Sequence, residues 1–252
     1  MIVIKFGGHA MGENSASWMR ELALRFKAGE RFVIVHGGGP QIDQELKIRN
    51  IEKKMINGFR YTDSETMKVV EMVLTGTVLR SVVRSLIKAG LPAVGITGSD
   101  TALLEVDYKD KEKLGLVGEV NKVNPKLLHD LLDMGYLPVV APVANDSNGT
   151  ALNINADLAA GAIAGALRAT QMLFLTDVPG IYANWPDQSS LIQSIGVQQL
   201  KNITFSEGMV PKVEAAINAI ESGALSSRVI DGKSIEAFVS ALNGEGGTWV
   251  HP

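Results

Sequence analysis

Cysteine is absent from this chain, and its few histidines are scattered. Without cysteine the protein has no disulfide framework, no thiol nucleophile and no cysteine-ligated metal. The histidines are His9, His36, His129 and His251, which form neither an HxH nor an HxxxH pair. A metal centre built from protein side chains is therefore not expected.

Long apolar runs and aromatic residues are also scarce. No run approaches the roughly 20 apolar residues that a membrane-spanning helix needs. The N-terminal apolar stretch is too short for a signal peptide and contains Lys5. Aromatic residues make up 6% of the chain, the formal net charge is −3, and no basic stripe is present. We therefore expect a soluble, cytoplasmic protein that binds neither membranes nor nucleic acid.

What the 252-residue chain does contain is short apolar runs bounded by glycine, which alternate with helical periods. IVIKF precedes a helix predicted from Asn14 to Ala28, and RFVIV precedes a helix after Pro40. This alternation is the βαβα pattern of an α/β protein with a mainly parallel sheet and helices on both faces. A soft boundary near Asn155, with no linker to mark it, predicts two lobes, 1–154 and 155–252, that share one continuous sheet.

Two local patterns in the first lobe add detail. Thr62 and Glu65 in TDSE have the spacing of a capping box, which predicts the start of a helix through MKVVEMVLTGTVLRSVVRSLIKAG to Gly90. ALLEVD and GLVGEV predict an antiparallel hairpin. The charged segment YKDKEKL between them predicts a solvated loop.

Glycines follow two of the predicted buried strands, where backbone N–H groups can approach an anion closely. Gly7 and Gly8 follow the first strand, and Gly37, Gly38 and Gly39 follow the second. Neither segment has the GK[ST] of a Walker loop or the GxGxxG of a dinucleotide fingerprint. Each segment therefore fits either an anion-binding turn or a purely structural one.

Two lysines stand in positions that suit an anionic ligand. Lys5 lies near the carboxyl end of the first strand, where ligands bind in α/β proteins, although a snorkelling lysine also fits there. Lys212 follows Pro211 in the first turn of a predicted helix, where the helix dipole disfavours a cation. This placement predicts an anionic partner for Lys212, and a phosphate is the natural candidate.

Four polar residues add to this set. Asp157 begins an alanine-rich helix as either a cap or a functional acid. Arg60 either clamps a carboxylate or lies on the surface, and Asn153 offers amide donors and acceptors. Asp177 ends the strand MLFLTD, where a carboxylate can meet a ribose or cap a turn. With two lysines and two glycine turns, but no GxSxG elbow, this set suits phosphoryl transfer, which depends on positioning and charge neutralisation.

The chain resembles the amino acid kinase family through motifs that follow one another in this order: KFGGHAM, VIVHGGGPQ, GFRYTD, GITGSD, GLVGEV, GYLPVV, LNINAD, LTDVPGIY and EGMVPKVEAA. The similarity extends from Ile2 to the final GTWV, and within the family it points to kinases of N-acetyl-L-glutamate. It implies an αβα sandwich whose N-terminal lobe binds the acyl amino acid and whose C-terminal lobe binds ATP. The implied reaction transfers the γ-phosphoryl group of MgATP to the γ-carboxylate of N-acetylglutamate, in arginine biosynthesis, with Mg²⁺ held mainly by phosphates and water.

The resemblance also implies roles by motif position. Lys5 and Lys212 would neutralise charge on the transferred phosphoryl group, and Asp157 would hold both lysines in place. Gly8 and Gly38 would donate backbone N–H groups to that phosphoryl group. The other implied contacts are Gly38, Gly39, Arg60 and Asn153 for the amino acid, with Arg60 on its α-carboxylate, and Asp177, Val178, Gly180, Tyr182, Phe205 and Ser206 for the nucleotide.

One residue and one segment depart from the family pattern. His9 stands where the family more often has a small or amide residue, and we expect it to pack or to form a hydrogen bond. Arginine-inhibited members carry an additional N-terminal helix, and the sequence begins directly at the first strand. The resemblance therefore implies a homodimer that arginine inhibits weakly or not at all, although NWPDQSSLI is similar to actinobacterial members, which can be arginine-regulated. A PII-type regulator is compatible with the family but is not indicated.

Three alternatives remain open at this point. A related kinase could act on a carrier-bound aminoadipate in lysine biosynthesis, because RYTD and WPD resemble segments of such kinases. A non-catalytic amino-acid sensor of the same fold would be expected to lose Lys5, Lys212 or Asp157, and all three are present. A dinucleotide-dependent oxidoreductase would need the GxGxxG segment that is missing.

Overall fold

The computed structural model describes residues 1–7, 15–205 and 209–252. Within these ranges the chain forms two compact units. The terminal unit comprises Met1–Phe32 and Ala160–Pro252, and the central unit comprises Val33–Ala159. In the part of the chain that is described, no helix is both long and apolar enough to cross a membrane.

Strands and helices alternate along most of the chain. The strands are β1 (Ile2–Phe6), β2 (Phe32–His36), β3 (Met55–Ile56), β4 (Phe59–Arg60), β5 (Ala93–Thr97), β6 (Leu104–Tyr108), β7 (Val117–Val123), β8 (Leu137–Ala141), β9 (Val143–Asn145), β10 (Ala151–Ile154), β11 (Gln171–Thr176), β12 (Ser194–Gly196), β13 (Ser227–Asp231) and β14 (Thr248–His251). The α-helices are α1 (Ser15–Lys27), α2 (Gly39–Ile48), α3 (Ser64–Glu71), α4 (Leu79–Lys88), α5 (Lys111–Leu114), α6 (Lys126–Asp133), α7 (Ala156–Ala166), α8 (Val197–Lys201), α9 (Val210–Glu221) and α10 (Ile235–Leu242).

The terminal unit contains a mainly parallel sheet in the strand order β12-β14-β13-β11-β1. Within it, β1 pairs with β11 and β11 pairs with β13 in parallel, whereas β13 and β14 are antiparallel. Strand β1 is buried at every position except Lys5. A near-continuous apolar strand is what a parallel sheet covered on both faces requires. Lys5 departs from this pattern, so core packing does not explain its place in β1.

The central unit contains the parallel strands β2-β8-β5, where β2 begins with Phe32 of the terminal unit, and a separate four-stranded sheet in the order β6-β7-β10-β9. The short strands β3 and β4 pair with each other. Strands β6 and β7 form the predicted antiparallel hairpin. The prediction of an α/β fold with a mainly parallel sheet is confirmed. The charged segment between the two hairpin strands contains the four-residue helix α5, where a loop was predicted.

The long amphipathic stretch after GFRYTD is divided, although its pattern predicts one helix. A π-helical segment, Met72–Val78, separates α3 from α4. The start of α3 also differs from the prediction, because Asp63 is the N-cap and its carboxylate accepts the Thr66 N–H at 2.8 Å. This bond, with smaller contributions from neighbouring groups, lowers the pKa of Asp63 despite partial burial. The capping box on Thr62 is therefore wrong, and the Thr62 hydroxyl is left for other partners.

Helix α9 packs closely against the terminal-unit part of α7. A Cβ atom added to Gly165 would lie 2.2 Å from the Ser222 carbonyl oxygen, and one added to Gly161 would lie 3.3 Å from the Ala219 nitrogen. The contact at Gly165 leaves no space for a side chain and the one at Gly161 is tight, so the two glycines allow the backbones to approach. This packing holds α9, the helix that carries Lys212, in a fixed position within the terminal unit.

Candidate active site

Lys5 and Gly7 lie together at the carboxyl end of β1. Lys5 pairs in register with Phe174 of β11, and a Cβ added to Gly7 would lie 3.8 Å from the Lys5 Nζ and 3.5 Å from the Leu175 carbonyl oxygen. The ammonium group therefore lies beside the glycine turn, as a phosphate site at a strand end requires. Gly8 and His9, for which roles were predicted, lie outside the described residues.

Lys212 in α9 forms an ion pair with Asp177, which follows β11. The Lys212 Nζ lies 3.3 Å from the Asp177 Oδ1, and the side chains are 22% and 62% exposed. Asp177 is therefore an anionic partner for the cation that sequence analysis found at the unfavourable end of the helix dipole. The pair brings together one residue predicted to touch the phosphoryl group and one predicted to contact the nucleotide.

The other predicted nucleotide contacts form the turn after β11 and an apolar cluster beneath it. Val178, Tyr182 and Met209 are buried together, and Phe205 packs against them. Because Val178 and Tyr182 are buried, their side chains stabilise this turn. A Cβ added to Gly180 would lie 2.4 Å from the Thr248 hydroxyl, so the turn is closely packed. Ser206 lies outside the described residues.

In the central unit, the HGGG segment connects β2 to α2. A Cβ added to Gly38 would lie 2.7 Å from the Leu74 Cδ2 and 3.2 Å from the Val78 Cγ2, both in the π-helical segment. A Cβ added to Gly39 would meet nothing within 4 Å among the described residues. Gly39 therefore borders open space on its Cβ side, at the first turn of α2, where the helix dipole favours an anion.

His36, at the end of β2, supports this turn from within the core. The residue is 1% exposed, and its Nδ1 lies 3.0 Å from the Gly37 carbonyl oxygen, which can only accept a hydrogen bond. Its Nε2 is buried and has no hydrogen-bond partner among the described residues. Burial lowers the pKa of His36 to about 4, against the smaller raising effect of the bond to Gly37. His36 is therefore neutral at pH 7.

We expect His36 to make the protein less stable in mild acid. The folded state holds this histidine neutral down to about pH 4, whereas the unfolded chain binds its proton near pH 6.5. The unfolded state therefore binds more protons between these values, and the free energy of unfolding falls by about 2 kcal/mol between pH 7 and pH 5. Denaturant unfolding of the wild type and of His36→Gln, each at pH 7 and pH 5, measures this change in the free energy of unfolding.

His129→Gln serves as the matched control, because His129 lies exposed on α6. We expect this variant to lose as much stability at pH 5 as the wild type, and His36→Gln to lose less. Equal losses in all three proteins would contradict the prediction. The comparison uses each protein's own change with pH, so any constant destabilisation by the substitution cancels.

Arg60 lies in β4, and its side chain is almost buried, at 10% exposure. Its Nη2 forms an ion pair with Asp43 of α2 and lies 3.5 Å from the Gly39 carbonyl oxygen. Its Nη1 is also buried and lacks a hydrogen-bond partner in the described ranges. Such an N–H is costly to leave unsatisfied, so it marks a place for an acceptor atom from a ligand.

Asp43 connects Arg60 to a second cation. Its Oδ2 accepts a hydrogen bond from Lys53 at 2.7 Å, while its Oδ1 pairs with Arg60. Burial alone would raise the pKa of Asp43, but the bonds from Lys53 and Arg60 lower it overall. The three groups therefore carry a net charge of +1, which suits one ligand carboxylate. Sequence analysis missed Asp43, although its position four residues after Gly39 places it on the same face of α2.

Asn153 in β10 contacts Arg60 through Thr62. The Asn153 Nδ2 donates to the Thr62 Oγ1 at 3.1 Å, and the Thr62 hydroxyl donates to the Arg60 carbonyl oxygen at 2.8 Å. The structure therefore brings together the residues predicted to bind the amino acid, and it adds Thr62 to them.

Asp157 lies in the first turn of α7, but the helix is capped by a different residue. The Asn155 Oδ1 accepts the N–H groups of Asp157 at 2.8 Å and Leu158 at 3.2 Å. The capping alternative for Asp157 is therefore wrong, and its carboxylate is not used as the cap. Over the described ranges, no group of three or more acidic or histidine side chains is arranged to hold a metal ion.

Comparison with known proteins identifies the family. The family model described as "Amino acid kinase family" matches residues 1–231. The chain belongs to the amino acid kinase family. Among curated relatives, it is 42% identical to the acetylglutamate kinase of Archaeoglobus fulgidus, over 100% of this chain and 93% of that protein. It is 43% identical to the acetylglutamate kinase of Prochlorococcus marinus, over 95% of this chain and 83% of that protein.

A solved structure of similar length has the same fold. The smu.665 protein of Streptococcus mutans UA159 matches with a TM-score of 0.85 and 28% identity, over 99% of this chain and 98% of that one. Similarity at about 42% identity, over nearly the whole chain, to relatives named acetylglutamate kinase makes the protein an enzyme of the kinase type. The resemblance that the motifs indicate is confirmed, and the oxidoreductase alternative is set aside.

Proposed function

We propose that this protein transfers the γ-phosphoryl group of ATP to the γ-carboxylate of N-acetyl-L-glutamate, giving N-acetylglutamyl 5-phosphate and ADP, as a step of arginine biosynthesis. Relatives about 42% identical over nearly the whole chain carry the name acetylglutamate kinase. The structural observation that carries the proposal is the buried guanidinium group of Arg60, whose Nη2 lies 3.5 Å from the Gly39 carbonyl oxygen and whose Nη1 has no hydrogen-bond partner among the described residues. This arrangement suits the α-carboxylate of an acyl amino acid.

Acceptor binding is assigned to the central unit. Arg60, Lys53 and Asp43 together carry one net positive charge, which matches the single α-carboxylate of an acylated amino acid. Asn153 offers its amide oxygen to the acylamino N–H group, and Gly38 and Gly39 line the same pocket. The acylated amine of the acceptor carries no charge, so no further carboxylate of the protein is needed to bind it.

Nucleotide binding is assigned to the terminal unit. Lys5 and Lys212 neutralise the charge that develops on the transferred phosphoryl group, and Gly8 donates its N–H to it. Charge placed in advance is the principal form of catalysis in phosphoryl transfer. Asp157, which belongs to the central unit, is proposed to have the catalytic role that the resemblance implies. The contacts proposed for the rest of the nucleotide are Asp177, Val178, Gly180, Tyr182, Phe205 and Ser206.

The reaction needs no general base, because the γ-carboxylate of the acceptor is ionised at pH 7. One of its oxygens forms a bond to the γ-phosphorus as the bond to the β,γ-bridging oxygen breaks. ADP leaves with that oxygen and its electron pair. Mg²⁺ bound to the phosphates would supply further charge neutralisation. We propose that phosphates and water hold this ion, in keeping with the absence of an acidic cluster over the described ranges.

Assembly and location complete the proposal. We expect a homodimer in the cytoplasm that binds small molecules and no nucleic acid. The division of labour predicted from the sequence, with the acceptor in lobe 1–154 and the nucleotide in lobe 155–252, agrees with these assignments except for Lys5 and Gly8. These two residues come from the N-terminal end of the chain but serve the phosphoryl group.

A coupled ADP-release assay tests the function directly. The assay compares N-acetylglutamate, glutamate, aspartate and a carrier-linked aminoadipate as acceptors with MgATP. We expect rapid ADP release with N-acetylglutamate only, because the cluster of Arg60, Lys53 and Asp43 carries one net positive charge and Asn153 has an amide oxygen that can accept an acylamino N–H. Faster turnover of the carrier-linked acceptor would replace the proposal with the lysine-pathway alternative, and no acceptor-dependent ADP release would refute both.

A further inference from the structure

Thr62 occupies the centre of the polar network in the central unit, and neither the motifs nor the proposed roles assign it a function. We propose that Thr62 is a positioning residue whose hydroxyl group fixes the orientation of the Asn153 amide relative to Arg60. The inference rests on the proposed function, because it concerns how those two residues receive the acceptor. It starts from the directions of two hydrogen bonds.

The Thr62 hydroxyl is fully buried and has one hydrogen to donate. It donates this hydrogen to the Arg60 carbonyl oxygen, at 2.8 Å, because a carbonyl group cannot donate. The remaining partner, Asn153, must therefore supply the hydrogen of the second bond, at 3.1 Å. The amide group of Asn153 consequently presents its Nδ2 to Thr62 and turns its Oδ1 away.

An Oδ1 that is not turned towards Thr62 can accept a hydrogen bond, and an acyl amino acid offers one N–H at its α-carbon. The same carbon carries the carboxylate that is proposed to bind Arg60. Two groups on one carbon lie at a fixed separation, so the two side chains that bind them must also keep a fixed separation. Thr62 links the Asn153 side chain to the backbone from which the Arg60 side chain extends, because its single hydroxyl contacts the Asn153 amide and the Arg60 carbonyl oxygen.

The backbone around Thr62 is held independently of its hydroxyl group. The Thr62 N–H donates to the Leu114 carbonyl oxygen at 3.0 Å, and its carbonyl oxygen accepts the Leu116 N–H at 2.6 Å. The Leu116 carbonyl oxygen in turn accepts the Asn153 N–H at 2.9 Å. Removal of the hydroxyl therefore leaves these backbone bonds in place, takes one hydrogen bond from the Arg60 carbonyl oxygen and frees the amide group of Asn153 to rotate.

Gly115 shows how closely the backbone fits there. Its φ is +70°, and an added Cβ would lie 2.4 Å from the Thr62 carbonyl oxygen. A glycine at this position allows the Thr62 backbone to approach the 114–116 segment. The backbone that carries the Thr62 hydroxyl is thus held in place, as a positioning role requires.

Three variants test the inference by steady-state kinetics. Thr62→Val removes both hydrogen bonds and keeps the shape, Thr62→Ser keeps both bonds, and Thr248→Val is the matched control. Thr248 is also fully buried, accepts the Ile181 N–H at 2.7 Å and donates to the Ile192 carbonyl oxygen, but it lies in the terminal unit beside the predicted nucleotide turn.

We expect Thr62→Val to raise the KM for N-acetylglutamate about tenfold, the loss typical of one oriented hydrogen bond, with the KM for ATP and kcat within about twofold of wild type. Thr62→Ser is expected to restore the KM for N-acetylglutamate. Thr248→Val is expected to leave that KM unchanged and to act, if at all, on ATP. A general loss of packing would instead raise both KM values in both valine variants.

An unchanged KM for N-acetylglutamate in folded Thr62→Val, or an equally raised KM in Thr62→Ser, overturns the inference. If Thr62→Val does not fold, Thr62→Ala takes its place, since it removes the hydroxyl without adding a methyl group. The outcome is separable from that of the proposed function, because wild-type ADP release with N-acetylglutamate establishes the reaction before any variant is compared.

Discussion

Replacement of Lys212 by alanine is expected to lower kcat about a thousandfold, the size of effect seen when one charge-stabilising group is removed from a transition state. Lys212 lies 22% exposed in the first turn of α9, where a cation opposes the helix dipole, and its visible partner is Asp177 at 3.3 Å. Lys212 therefore stands where a cation does not help folding. Charge neutralisation on the transferred phosphoryl group explains this position better than a contribution to stability does. Single-turnover and steady-state ADP release measure the effect.

Folding should be preserved in this variant. The pair with Asp177 is partly exposed, and such pairs contribute less than about 1 kcal/mol. Lys201→Ala is the matched control, because Lys201 also forms an ion pair in the terminal unit, with Glu221 at the other end of α9. We expect Lys201→Ala to keep wild-type kcat.

Asp177→Ala separates two roles for Lys212. If Lys212 serves only to hold Asp177, alanine at either position should lower kcat equally. We expect Asp177→Ala to lose much less activity, since the cation remains in place. Near-normal kcat in Lys212→Ala would make the ion pair structural and would remove Lys212 from the catalytic residues.

The fold class was predictable because its determinants are local. Apolar strands such as IVIKF and VIVHGGG carry a burial pattern that only a covered parallel sheet satisfies, and glycine marks where they end. Lys5 could also be found, because it interrupts a strand that is otherwise buried. The hairpin of β6 and β7 followed from alternation between apolar and polar residues.

The residues that the sequence did not reveal depend on tertiary contacts. Thr62 and Asn153 are 91 positions apart, and only the fold places their side chains at hydrogen-bond distance. The capping-box spacing of Thr62 and Glu65 favoured Thr62 over Asp63, because a threonine that bonds distant residues looks the same in sequence as a threonine that caps a helix. Asp157 presented the same ambiguity, which the amide oxygen of Asn155 resolves by taking the capping bonds.

The π-helical segment Met72–Val78 was hidden for a related reason. Its apolar periodicity continues from α3 into α4, so the sequence reads as one helix. The widened turn places Leu74 and Val78 against Gly38, and this packing has no local signature. π-helical turns often occur at functional sites, and here the segment supports a glycine of the proposed acceptor pocket.

Replacement of Arg60 by alanine is expected to raise the KM for N-acetylglutamate about 300-fold with little change in kcat, as for the loss of a buried, hydrogen-bonded charge partner. Arg60 has a buried Nη1 with no partner among the described residues, and Asp43 has a second cationic partner in Lys53, at 2.7 Å, that the substitution does not remove. The carboxylate of Asp43 is therefore not orphaned, and the protein should fold. Arg49→Ala, which breaks an exposed ion pair with Glu45 on α2, is the matched control.

A truncated acceptor makes the assignment specific to one group. 4-Acetamidobutanoate is N-acetylglutamate without its α-carboxylate, so it retains the reacting carboxylate and the acylamino N–H. We expect it to be as poor a substrate for the wild type as N-acetylglutamate is for Arg60→Ala, and no poorer for the variant, because each change removes the same interaction. If both losses add in the Arg60→Ala enzyme, Arg60 acts on another part of the acceptor, and the net positive charge of the Arg60, Lys53 and Asp43 cluster serves a different ligand group.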